Sequence, residues 1–94
     1  MKQITINQIQ AQIEHLNQLT GSPLTPYTRS DDGKLHGNVG NFYLSQAYGG
    51  VCVHRMANDC GGATTPIFHG HIPKREAFGQ LVAYIAGIES VRNA

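Results

Sequence analysis

The sequence predicts an α+β fold: a small αβββ(β)α two-layer sandwich in which an antiparallel sheet carries the N- and C-terminal helices on one face. Three observations point there. A capped, one-sided helical pattern opens the chain at residues 5–19, alternating β-compatible segments broken by glycine turns fill 41–68, and a second helical pattern follows Pro73. One-sided helices and half-polar strands bury their apolar faces by stacking as two layers. The 94 residues make a single domain, 1–94, with one modest core.

Thr5 with Gln8 three residues on has the capping-box spacing, and Ile4 with Ile9 has that of a hydrophobic staple. Ile6, Ile9, Ile13 and Leu16 then form a narrow apolar stripe on a Gln/Asn-rich helix that closes at Gly21, leaving His15 on the surface. Pro23 and Pro26 exclude helix from the next stretch. Leu24 to Arg29 reads as a short edge strand, one half of a hairpin with Lys34 to Val39 around the Asp31-Asp32-Gly33 turn; its membership of the main sheet stays open. Gly37 to Asn41 matches no nucleotide-binding fingerprint and reads as a turn or bulge.

Asn41 to Ala47 reads as a strand, Tyr48-Gly49-Gly50 as a hairpin turn, and Val51 to Met56 as the returning strand. Alternation puts Val51, Val53 and Arg55 on one face and Cys52, His54 and Met56 on the other. Asp59 to Gly62 turns the chain into 63–68. The last helix is expected to start at His71 or Ile72, with Pro73 in its first turn, where a missing N–H is no loss. Phe78, Leu81, Val82, Ile85 and Ile88 or Glu89 follow the spacing of its apolar face. Gly79, Ala83 and Gly87 form a second stripe. Each glycine inside a helix costs about 1 kcal/mol relative to alanine, so the stripe is expected to be where the first helix approaches the last.

Charged residues are 14% of the chain and the formal net charge is +1, so no global field attracts nucleic acid or an anionic membrane. Anion binding would have to come from local arrangement. The start, MKQITINQIQ, lacks the apolar core of a signal peptide and no run is long enough to span a bilayer, so a cytoplasmic protein without a membrane partner is expected. Cys52 and Cys60 are then thiols, not a disulfide. The thin core makes a homo-oligomer the expectation.

Cys52, His54, Cys60, His69 and His71 are metal-ligand types, but their spacing differs from that of zinc ribbons or fingers, so no metal and no cofactor is expected. Cys60 with His54 or His69 and Asp59 is imaginable as nucleophile, base and orienting acid, but nothing in the spacing demands it, and the elbow motif of a hydrolase is absent. The chain reads as a non-enzyme. The segment His69 to Glu76, HGHIPKRE, carries the chemistry instead. His69, His71, Lys74 and Arg75 beside the free N–H groups of a helix start suit a phosphate or other anion. His54 or Arg55 would assist, and Tyr43 or Tyr48 would offer a ring for a base to stack on. The opposing view is that Lys74, Arg75 and Glu76 are a solvated first turn.

The residues HGNVGNFYLSQAYGG, VCVHRM, GG and HIPKREAFGQLVAYIAGI, about 35–90, together resemble small proteins encoded by phages and prophages. That resemblance implies a protein of the host cytoplasm that counters a host defence, either by sequestering a nucleotide signal or by binding a defence protein as an anti-CRISPR-like inhibitor. It transfers no residue role. The αβββα order is also similar to the double-stranded RNA-binding domain, whose second helix starts with basic residues set against phosphates; only Lys74 and Arg75 match that feature here.

Overall fold

The computed structural model describes residues 3–92 and has the α+β architecture. In chain order it contains α1 (Ile6–Thr20), β1 (Tyr27–Arg29), β2 (Leu35–Gly37), β3 (Phe42–Ala47), β4 (Gly50–Met56), β5 (Ala63–Thr64) and α2 (Lys74–Arg92). The strands form two antiparallel sheets, a β1-β2 hairpin and a three-stranded sheet in the order β3-β4-β5. The hairpin at 27–37 is thus a sheet of its own and not an edge of the main one.

The capping box at α1 is formed: Thr5 Oγ1 accepts from the Gln8 N–H at 3.2 Å and Gln8 Oε1 accepts from the Thr5 N–H at 2.8 Å. Gly21 ends the helix in the left-handed region at φ 67°. Ile9, Ile13 and Leu16 are buried against Phe42, Val51 and Val53 of the sheet and Ala77, Leu81 and Ile85 of α2. Both helices therefore share one face of the sheet. The β3–β4 register pairs Leu44 with Val53 and Gln46 with Val51, so every second residue points into this core. Tyr48 and Gly49, at φ 55° and 74°, make the two-residue turn whose left-handed pair matches strand twist.

Two expectations about α2 are corrected. The helix begins at Lys74, because Ile72 is extended and paired with Val51: Val51 N–H to Ile72 O is 2.8 Å and Ile72 N–H to Val51 O is 2.9 Å. The strand edge captures the residues that would have been the first turn. Nor does the Gly79, Ala83, Gly87 stripe join the helices, since all three are exposed and a Cβ added at Gly79 or Gly87 would meet nothing within 4 Å. The buried stripe is Ala77, Leu81 and Ile85, with Phe78, Tyr84 and Ile88 packed beside it, and Val82 is exposed. The glycine that a close approach does require is Gly50, where a Cβ would lie 2.9 Å from the Ile72 carbonyl oxygen. Among the described residues no helix is long and apolar enough to cross a membrane.

Candidate functional site

The face of the sheet turned away from the helices gathers the aromatic and imidazole groups. Tyr43 and Ser45 on β3 lie directly across from His54 and Cys52 on β4. His71 joins them from outside the sheet, because Gly70 turns at φ 76° and the Ile72 bridge then pins the chain along β4. His71 Nε2 is 3.0 Å from Ser45 Oγ. The rings make a continuous edge-on row: Tyr43 to His54 at 5.4 Å between centroids, His54 to His71 at 6.3 Å, and His71 to Tyr48 at 5.9 Å. Tyr48 ends the row at the hairpin tip, 98% exposed.

The electrostatics of the row follow from partial burial. Burial, with a smaller contribution from the neighbouring His71, holds the His54 imidazole below its ordinary value, so it is neutral at neutral pH. Burial, then the nearby Tyr27, pushes the Tyr43 phenol up. Cys52 is buried beneath the row, with Sγ 4.0 Å from the Phe68 carbonyl oxygen, and burial raises its thiol too. The row is therefore a surface of rings and hydrogen-bonding edges rather than a cationic cup.

The remaining expected residues fall around it. Lys74 lines a shallow cleft of about 370 Å³ with Ile6, Ala47 and Gly50, where the hairpin tip meets the starts of both helices. Arg75 is exposed in the first turn of α2, and among the described residues no carboxylate pairs with either cation. Arg55 points to the other face, with its guanidinium 4.7 Å above the Phe42 ring and its Nε–H donated to Gly40 O at 3.1 Å. It braces the core edge, as strand alternation required. His69 is exposed and bonds Thr65 Oγ1 at 2.9 Å. Structure thus unites Tyr43, Tyr48, His54 and His71, sets Lys74 beside the hairpin tip, and turns Arg55 to the opposite face.

Among the described residues no three His, Cys, Asp or Glu side chains gather as a metal-ligating group. Ser30, His36 and Asp59 do form a row on the hairpin, with 3.2 Å from Ser30 Oγ to His36 Nε2 and 4.0 Å from His36 Nδ1 to Asp59 Oδ2. The second separation is too long for an orienting hydrogen bond, and the Ser30 hydroxyl donates to Asp32 instead. These groups tie the β1-β2 turn together.

Three residues escaped the sequence reading. Asn17 accepts from the Phe42 N–H at 2.8 Å and donates to the Phe42 carbonyl at 3.0 Å, standing in for a neighbouring strand at the open edge of β3. Its signal was its position, four residues after Ile13 on the apolar stripe, where a polar group needs a partner. Ser45 was legible from alternation with Tyr43. Asn41 is 1% exposed and donates to Pro23 O at 2.7 Å, and no sequence pattern marks it. No protein-family model, no curated protein and no solved structure matches this chain.

Proposed function

We propose that the protein is a non-catalytic binding protein for a phosphate-bearing ligand, a nucleotide by its chemistry. The site is the row Tyr43, His54, His71, Tyr48 together with the first turn of α2. The observation that supports this is the placement of a fully exposed ring, Tyr48, against His71, three residues ahead of an unpaired Lys74-Arg75 turn. A base would stack on the ring. The first bond of α2 runs from the Ala77 N–H to Pro73 O, so the N–H groups of Lys74, Arg75 and Glu76 have no helical partner and suit a phosphate. In the phage setting that the sequence resembles, such binding in the host cytoplasm would sequester a nucleotide signal of host defence, and a second copy of the chain could share the ligand.

Calorimetric titration with cyclic and linear nucleotides tests this reading. Lys74→Ala with Arg75→Ala should weaken binding at least tenfold, since charge-assisted hydrogen bonds contribute about 1.5–3 kcal/mol each. Stability should hold or rise, because each cation opposes the helix dipole by about 0.3–1 kcal/mol. Binding should also weaken as salt rises. An unaltered affinity in the double variant at low and physiological salt removes the α2 start from the site, and no heat with any nucleotide removes the proposal.

A second reading rests on the exposed Leu24, Tyr27, Leu35 and Val39 on and around the β1-β2 hairpin, an apolar set suited to a protein surface. It describes an inhibitor of a host defence protein. Retention of one partner at stoichiometric level by wild type, and its loss in Leu35→Lys, would favour it. For the duplex-RNA alternative, Lys74 and Arg75 are the residues that match the resemblance, and RNA serves as a comparison ligand in the same titrations.

A further inference from the structure

The face of α2 turned away from the sheet carries no charge over most of its length. Every exposed position from Gly79 to Val91 is uncharged, a stretch of about 18 Å at 1.5 Å per residue. The solvent face of a helix is ordinarily its charged one. Val82 is 40% exposed and Val91 77%, and an open groove of about 490 Å³ runs along Ala83, Tyr84, Gly87, Ile88, Val91 and Arg92. Nothing in the fold of one chain covers this face.

Charge at its margins selects the occupant. Arg75 and Glu89 lie on one flank of the face, close to four turns apart. Among the described residues Arg75 has no carboxylate partner, and Glu89 has only His15, at 3.9 Å. A second copy laid antiparallel, with Ala83 on the two-fold axis, sets Glu76 opposite the partner's Ser90 and brings Arg75 beside the partner's Glu89, twice by symmetry. A parallel pair would instead oppose Arg75 to Arg75 and Glu89 to Glu89. We propose that this face of α2 is an antiparallel dimer interface between two copies of the chain. Val82 packs on its own copy beside the axis, and Ala83 lets the two backbones approach. A face about 18 Å long on a helix about 10 Å wide falls short of the roughly 800 Å² per partner of a standard interface, so the dimer is weak, with a dissociation constant of about 10 µM to 1 mM. Thermal melts at lower concentration report the monomer. The interface does not depend on the nucleotide reading.

The test is sedimentation equilibrium of the full chain from about 10 µM to about 2 mM, without nucleotide, beside amide spectra of nitrogen-15-labelled protein over the same range. The average mass should rise toward twice that of the chain, and the signals of Gly79, Ala83 and Gly87 should move with concentration. Ala83→Arg, at an exposed position, should keep the melting temperature of the monomer and weaken association at least about tenfold, because it sets two like charges on the axis. Arg75→Glu and Glu89→Arg should each weaken association about threefold to tenfold. Both swaps in one chain should restore it to within about twofold of wild type, because the pair is re-formed with its signs exchanged. A monomer mass at the highest concentration, concentration-dependent shifts confined to another face, unaltered association in Ala83→Arg, or no recovery in the double swap would each overturn the proposal.

Discussion

Strands β3 and β4 present two faces from the same residues one step out of phase, and the two faces obey different rules. On the helix side Phe42, Leu44, Val51 and Val53 meet Leu81, Ile85 and the α1 stripe, and burial is nearly complete at Phe42, Val51 and Val53 and partial at Leu44. On the outer side Tyr43, Ser45 and His54 have only partial cover, from His71 and the chain leading to it, while Cys52 and Met56 are closed off under Phe68 and Gly37. What differs is the cover. Two helices exclude water, so a polar group buried there, such as Asn17, must have its bonds made within the protein, whereas a single extended segment leaves room for hydroxyls and imidazoles that bond one another or solvent.

The largest effect that would sharpen this comparison is truncation on either face. Leu81→Ala should cost about 2–5 kcal/mol by leaving a cavity under the helices, while His54→Ala should stay within about 1 kcal/mol. Denaturant unfolding reads both, and equal costs would break the distinction. Asn17→Leu comes next: it strips both partners from the Phe42 backbone at the sheet edge and should cost about 2 kcal/mol or more. Hydrogen exchange at Phe42 should speed up in that variant. No change there would mean that β3 needs no side-chain substitute for a strand.

Glycine substitutions separate the faces in sign. Gly50→Ala forces a methyl group against the Ile72 backbone and should destabilise by about 1–3 kcal/mol. Gly79→Ala and Gly87→Ala on the open side of α2 should instead stabilise by about 1 kcal/mol each. Thermal melts distinguish the two outcomes, and loss of stability at Gly79 would put a partner on that helix face.

The smallest effect is a pH dependence. The folded-state pKa of His54 lies below its ordinary 6.5, so the unfolded chain takes up the proton first. Stability from this group is complete above 6.5, falls as pH drops below that value, and levels off below the depressed folded pKa. His54→Gln should flatten the melting temperature between about pH 7.5 and 5.5 relative to wild type; an identical slope in the variant would show that His54 does not carry it.

Much of the fold was legible because it rests on local chemistry. The Thr5–Gln8 box, the closing Gly21, the Tyr48-Gly49 turn and the phase of Val51 to Met56 are each specified within a few residues, by capping, left-handed backbone and alternation. Of the site, the ring types and the His54 side were readable for the same reason. Sequence by itself determined two helices, a meander and which strand residues share a face. Only the tertiary structure decided that Ile72 joins β4 rather than α2, that His71 therefore reaches Ser45 and His54, that Gly79 and Gly87 face outward, and that Asn41 is buried against Pro23. Those outcomes depend on pairings between residues about 20 or more apart, where loop closure and competition for one strand edge, not local preference, set the result.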